Sequence, residues 1–189
     1  YFPSVVEKAE EFFLPPRHLL DGERTPWNTD GVTINGNTYI SFPAVRYDKE
    51  KVFAEMKEKL KTLNNPIIGL NNTGDILFLK KHPEYRAFAD IYMYLPNREA
   101  ARLLKEEVPS LVGGYLWVER ESYEEPWPFT PTIASDYHPP LFISRSCYRH
   151  DGLGLDCKGC TRHHTFKAEQ NGRNYTVFVD NCNTIVKES

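Results

Sequence analysis

The sequence predicts an α/β fold: a partial (βα) barrel-like parallel sheet followed by a small β-rich cysteine metal-binding unit. Three observations carry that reading. Short apolar runs alternate with helix-period segments through the middle of the chain at intervals of roughly 22–28 residues, as right-handed βαβ crossovers require. All four cysteines, Cys147, Cys157, Cys160 and Cys182, fall late in the chain. Beyond Cys160 the helical periods stop and short β-type runs replace them.

The elements follow in order. Ser4-Val5-Val6-Glu7 is a capping-box signature, and Val5, Val6, Ala9, Phe12 and Phe13 continue at helical spacing until Pro15-Pro16. Val32-Thr33-Ile34 and Thr38-Tyr39-Ile40 flank Asn35-Gly36, the strongest short hairpin signal. Asp48 caps a helix whose apolar face is Val52, Phe53, Met56, Leu60 and Leu63. Ile67–Leu70 reads as a strand and Asp75–Lys81 as a short helix stopped by Pro83. Ala89–Leu95 reads as the next strand, with Ile91, Met93 and Leu95 on one face. Asn97 caps a helix through Leu103 and Leu104, Leu111–Val118 is a third strand, and Glu119–Glu125 opens a further helix. Leu141–Ser144 completes the set as a fourth parallel strand. Four such units make about half of an eight-stranded barrel, which leaves a sheet edge for a missing barrel half or a second copy. Thr165–Ala168, Tyr175–Val179 and Thr184–Val186 form the β-unit, with Asn171-Gly172 as a turn. The regions are thus 1–45, an N-terminal helix and β-hairpin; 46–144, the βα repeat; and 145–189, the four-cysteine unit.

A chain of 189 residues, 40% hydrophobic, suits one domain with an appendage. A net charge of −3 excludes a global nucleic-acid footprint, although residues 144–189 are mildly basic, with seven Lys/Arg against five Asp/Glu. Neither a membrane-length apolar run nor a signal-peptide pattern is present. The expectation is a soluble cytoplasmic protein with reduced thiols and no membrane partner. The chain opens at Tyr1 instead of a methionine and is read as an excised piece of a longer protein.

The cysteines are spaced C-x9-C-x2-C-x21-C. A C-x2-C pair puts two sulfurs on one tight turn, and Gly159 lets that turn bend without a Cβ clash. Chain reversal can bring two more thiolates to the same place, giving a four-sulfur site for zinc or an iron–sulfur centre; spacing does not choose between them. The competing readings are disulfides or a redox dithiol, and four unrelated thiols.

The run PLFISRSC (Pro140–Cys147), the C-x2-C pair, the hairpin with Asn171-Gly172 and the segment NCNTIV (Asn181–Val186) together resemble the peptidase U32 family, the collagenase-like peptidases. ADIYMYLPNREAARLL (Ala89–Leu104) is similar to that family's strand-Asn-helix unit, and Arg120-Glu121-Ser122 resembles its Arg-Glu-Leu-Ser step. The resemblance spans roughly Ile67–Val186, and the cysteine block is its specific part. It implies a barrel and a 4Fe-4S iron–sulfur cluster on Cys147, Cys157, Cys160 and Cys182, with zinc as the alternative metal. It also implies Glu121 as a site carboxylate. The activity implied is oxygen-independent hydroxylation of RNA bases or a small aromatic; a zinc-stabilised binding module and a collagenase-like peptidase are the alternatives. Many members carry Glu-x-Phe-x-x-Gly ahead of the first cysteine, where this chain has Ala134-Ser135-Asp136-Tyr137-His138. With that stretch and half of the barrel missing, the isolated chain is expected to hold metal but not to turn over.

Barrel sites collect at the C-terminal ends of strands, which singles out Asn71, Asn72, Asn97, Glu119 and Glu121. Asn97 reads more simply as a helix cap, and the two glutamates as surface charges. His163 and His164 read as surface histidines beside the cysteines. No Ser/His/Asp set, zinc-protease helix or phosphate loop is visible in the sequence, so a conventional protease mechanism has no support.

Overall fold

A computed structural model describes residues 31–46, 48–117, 127–132 and 140–188. The predicted N-terminal helix and the predicted helix over Glu119–Glu125 lie outside the described residues, as does Glu121. The chain divides into two compact units, one ending at Ser135 and one beginning, for its main part, at Asp136.

The first unit is built on a six-stranded, mostly parallel half-barrel sheet. Strands β1 (Val32–Ile34) and β2 (Asn37–Ser41) form the predicted antiparallel hairpin, turned at Asn35 and Gly36 with φ of 48° and 77°. Helix α1 (Lys49–Leu60) crosses to β3 (Pro66–Leu70), and α2 (Ile76–Lys81) to β4 (Arg86–Ala89). Helix α3 (Arg98–Glu107) leads to β5 (Leu111–Tyr115), and β6 (Thr130–Thr132) closes the order. From β2 to β6 each strand pairs in parallel with the next one in the sequence. The hairpin set apart in the sequence therefore supplies the first parallel strand.

Local chemistry starts the helices as expected. Asp48 Oδ1 accepts the Lys51 N–H at 2.9 Å, and Asn97 Oδ1 accepts that of Ala100 at 2.9 Å. Each such cap contributes about 1 kcal/mol. Strand alternation divides the sheet into two faces. Ile40, Phe42, Ile68, Leu70, Ala87 and Ala89 pack with Met56, Leu60, Phe78, Leu79, Ala101 and Leu104 from the helices. Phe42, Phe53 and Phe78 form a triangle with ring centroids 5.2–5.3 Å apart. On the other face Tyr39, Ile67, Phe88 and Tyr115 are also buried. Burial on both sides is the usual condition of a parallel sheet.

Two predicted strands are corrected. The stretch Ala89–Leu95 is not a strand, because β4 starts earlier, at Arg86, and ends at Ala89. There the Asp90 carboxylate accepts the Ile91 N–H at 2.8 Å and starts a tight helical turn, Ile91–Met93, that ends the ladder. Leu141–Ser144 is not the fourth parallel strand either. Strand β7 (Phe142–Ser144) pairs antiparallel with the last strand of the chain, in the other sheet. Its expected place is taken by β6, whose Pro131 cannot donate to a ladder and is at home on a sheet edge.

The second unit is a four-stranded antiparallel sheet of order β7-β10-β9-β8, from β8 (His163–Gln170), β9 (Arg173–Asp180) and β10 (Asn183–Glu188). Val177, Val179, Ile185 and Val186 are its buried apolar residues. The β8–β9 turn is Asn171-Gly172, as predicted, with φ of 54° and 75°. Among the described residues no helix is long and apolar enough to cross a membrane.

One glycine tests the sheet packing. A Cβ on Gly114 of β5 would lie 2.6 Å from Ala89 Cβ and 3.1 Å from the Ala89 carbonyl oxygen, atoms that cannot rotate away. Gly114→Ala should therefore cost about 1–3 kcal/mol in chemical denaturation, the range of overpacking in a filled core.

Candidate functional site

All four cysteines stand at one end of the antiparallel sheet, on three loops that backbone geometry draws together. Cys147 follows β7 and opens a wide helical turn, Tyr148–Gly152. Thr184 of β10 fixes this loop: its hydroxyl accepts the Tyr148 N–H at 2.8 Å and donates to the Ser146 carbonyl at 2.6 Å. The Asp151 carboxylate accepts from Ser146 Oγ at 2.7 Å and from the Cys147 N–H at 2.9 Å. Its neighbour His150, then Ser146 and the Cys147 amide, hold the Asp151 carboxyl down to about 2.

Cys157 and Cys160 bracket the second loop, closed by the Cys160 N–H on the Cys157 carbonyl at 3.1 Å. Gly159 has φ of 72°, as the C-x2-C reading requires. The Arg162 N–H points at Cys160 Sγ at 3.3 Å, and the same sulfur lies 3.1 Å from His164 Nε2. The Asn181 N–H donates to the Arg162 carbonyl at 2.9 Å, which ties this loop to the third, where Cys182 sits.

Cys182 occupies an unusual position. The β9–β10 turn consists of Asn181 and Cys182 alone, with φ of 47° and 65°. The other two-residue turns, Asn35-Gly36 and Asn171-Gly172, have the same pair of left-handed residues, but glycine in second place. Glycine is favoured there because any Cβ meets backbone, at about 1–2 kcal/mol. A cysteine is kept where the turn itself asks for none.

The four thiols are electrostatically linked. Partial desolvation at its sulfur raises the Cys182 thiol although the residue is exposed, Cys147 raises it further, Arg162 opposes the rise, and Cys157 and Cys160 add to it. None of the four forms a disulfide; Cys157 and Cys182 are exposed, and Cys147 and Cys160 half-buried. Among the described residues no three His, Cys, Asp or Glu side chains stand close enough together to hold a metal ion. Cys160 Sγ is turned to His164 instead. The donor set nevertheless fits a thiolate-bound metal by its chemistry, since four sulfurs share one sheet end and reach it on short loops. A change of χ1 well moves a sulfur without moving its backbone.

A second polar constellation lies at the C-terminal ends of the parallel strands. Asp90, which follows β4, is buried and accepts from Ser41 Oγ at 2.6 Å, Asn71 Nδ2 at 3.0 Å and the Ile91 N–H at 2.8 Å. Asn71, which follows β3, also donates to the Phe42 carbonyl at 2.8 Å and accepts the Tyr92 N–H at 3.2 Å. Asp75 accepts the Asn71 and Asn72 N–H groups at 2.9 Å each and pairs with Arg46, which lies over Phe42 and Phe53. Burial raises the carboxyls of both Asp75 and Asp90; Arg46 only partly offsets it at Asp75. Tyr115, at the end of β5, is pushed up by burial, then by Asp90 and Tyr39.

Of the residues singled out by sequence, Asn71 is buried at a strand end as expected. Asn72 accepts the Gly74 N–H at 2.8 Å, and both Asn72 and Asn97 act as caps. His163 pairs across the sheet with Asp180 at 2.7 Å. Glu119 and Glu121 lie outside the described residues. Sequence reasoning missed Ser41, Asp75, Asp90 and Tyr115. The available signal for Asp90 was an aspartate inside an apolar strand run, a place where a solvated carboxylate has no business.

No protein-family model matches the chain, and no curated protein or solved structure matches it either.

Two measurements follow. The folded Asp90 carboxyl lies above its unfolded value, so folding favours its protonated form. Stability relative to Asp90→Asn should therefore fall as pH rises from about 4 through the raised folded value, because the native state holds the extra proton there. Paired denaturation curves against pH read this difference directly; a difference that grows in favour of the wild type would contradict it. Thr184→Val removes the two hydrogen bonds by which β10 holds the Cys147 loop and leaves those to Asp151. It should lower stability by roughly 1–3 kcal/mol and speed alkylation of Cys147 over the other thiols, read by mass spectrometry.

Proposed function

We propose that this chain is the C-terminal, metal-bearing part of a peptidase U32-like barrel protein. In this reading Cys147, Cys157, Cys160 and Cys182 hold one 4Fe-4S cluster. The function proposed is support of oxygen-independent hydroxylation of an RNA base or a small aromatic, in a reducing compartment such as the cytoplasm. The observation that carries it is Cys182, a cysteine held in a left-handed turn position where glycine would fold more easily. Its neighbours supply the rest of the reason. Four thiolates at one sheet end repel one another, and a bound cation is the simple way to hold them all ionised.

When bound, such a cluster supplies one-electron transfer. The chain's own residues do the remaining work proposed here. The Arg162 amide and the His164 ring position the Cys160 sulfur, and Thr184 and Asp151 hold the Cys147 loop in place. Glu121 is the carboxylate that the family resemblance implies. The parallel strands contribute only part of a barrel mouth, so a further barrel half, from a longer chain or a second copy, completes the substrate pocket.

Anaerobic purification with iron, sulfide and zinc analysis tests this reading. Iron and sulfide in cluster proportion, with visible absorbance, support it. Stoichiometric zinc without sulfide would instead make the unit a metal-stabilised binding module. A sharper test is Cys182→Gly. This variant should lose metal while strengthening the metal-free hairpin by about 1–2 kcal/mol, because it relieves the left-handed backbone. Retention of wild-type metal content in Cys182→Gly would exclude the single four-thiolate site.

A further inference from the structure

Just past the C-terminal ends of β4 and β5 an aromatic pair stands in an unusual setting. Tyr94 has φ of 54° and ψ of 70°, a left-handed conformation that bulky residues rarely adopt. Its side chain is not buried to compensate, for the residue is 52% exposed. The ring packs against Trp117, with centroids 4.4 Å apart and planes inclined by 48°.

The pair is held at its base on both sides. The Trp117 N–H donates to the Leu95 carbonyl at 3.2 Å, and the Tyr94 N–H to Ile91 at 3.4 Å. The turn that carries Tyr94 begins at buried Asp90, and its Tyr92 N–H is fixed by Asn71 Oδ1 at 3.2 Å. Tyr94 closes the Ile91–Met93 turn as its left-handed cap, a place where glycine or asparagine is usual, so the turn itself does not ask for a large half-exposed ring. An exposed tyrosine ring fixed against a half-buried tryptophan at the strand-end face of a barrel-like sheet is suited to stack against a planar ring.

We infer that Tyr94, backed by Trp117, is a stacking platform for the aromatic ring of the substrate. The inference rests on the proposed hydroxylase reading for the class of substrate, and it adds the residues that seat the ring. A nucleobase and a free phenol share the chemistry that the platform recognises, so both serve as probes.

The test uses the whole chain, purified anaerobically, with a short single-stranded RNA and with 4-hydroxybenzoate, binding being read by fluorescence anisotropy and equilibrium dialysis. Tyr94→Asn removes the ring but keeps a residue that tolerates the left-handed turn. It should weaken binding by about 5- to 150-fold, the stacking increment of about 1–3 kcal/mol per base at 1.4 kcal/mol per tenfold. Tyr94→Phe should bind as the wild type does. Loss with RNA alone supports the platform and identifies a nucleobase; loss with the phenol alone supports it and identifies a small aromatic. Equal binding by wild type and Tyr94→Asn, no binding of either probe by the wild type, or equal losses in Tyr94→Phe and Tyr94→Asn would overturn it. Metal analysis of the same samples separates the two ideas. Iron and sulfide with no ring binding sink the platform and leave the cluster reading. Tyr94-dependent ring binding in protein without iron keeps the platform and sinks the cluster.

Discussion

The first unit depends on one carboxylate. Asp90 receives a hydroxyl from β2, an amide from the residue after β3 and a backbone N–H from its own turn, and among the described residues its hydrogen-bond partners include no cation. Three neighbouring parallel strands are thus tied at the same end by a group that strongly prefers water. A buried carboxyl of this kind is tolerated only when its acceptor sites are filled, so removal of any donor leaves a debt of desolvation in the core. The tie also sets where β4 stops, since the same carboxylate begins the turn that carries Tyr92 and Tyr94. Packing and exposed surface are connected through it.

Nearby, Asp75 shows the other way to bury an acid. It has a cation, Arg46, held between the carboxylate and the rings of Phe42 and Phe53. Guanidinium is weakly hydrated and stacks well, so arginine suits this place better than lysine would. The two aspartates are alike in burial and differ in compensation. That difference makes Asp90 the group whose ionisation the fold resists without help from a partner charge.

Much of this architecture is legible in the residues. The crossover helices announce themselves through Asp48 and Asn97 and through apolar residues at helical spacing. The hairpins are plain wherever Asn-Gly occurs. The errors come from short strands whose signals are local and ambiguous. Ile91, Met93 and Leu95 alternate like a strand, but alternation over so few residues cannot outweigh a side chain that captures the next N–H. Phe142–Ser144 is as apolar as a parallel strand, and only pairing with β10, distant in sequence, decides its sheet. Thr130–Thr132 gives no strand signal at all, because proline sits at its centre. For the candidate sites, cysteines are visible by type and spacing, whereas the left-handed backbone of Cys182 and Tyr94 is a property of the folded turns.

The two-residue length of the β9–β10 turn has a consequence for how this chain can vary. Strand pairing has a period of two, so one residue added between Asp180 and Asn183 would shift the register of Thr184↔Val179 and Val186↔Val177. Val177 and Val179 would then exchange faces with Thr176 and Phe178, emptying the small core of this sheet. The loop between Gly152 and Cys157 has no such bond to strand register. Length changes in descendants of this sequence should collect there, in front of the C-x2-C pair, while the Asn181-Cys182 connection stays at two residues even where its side chains change.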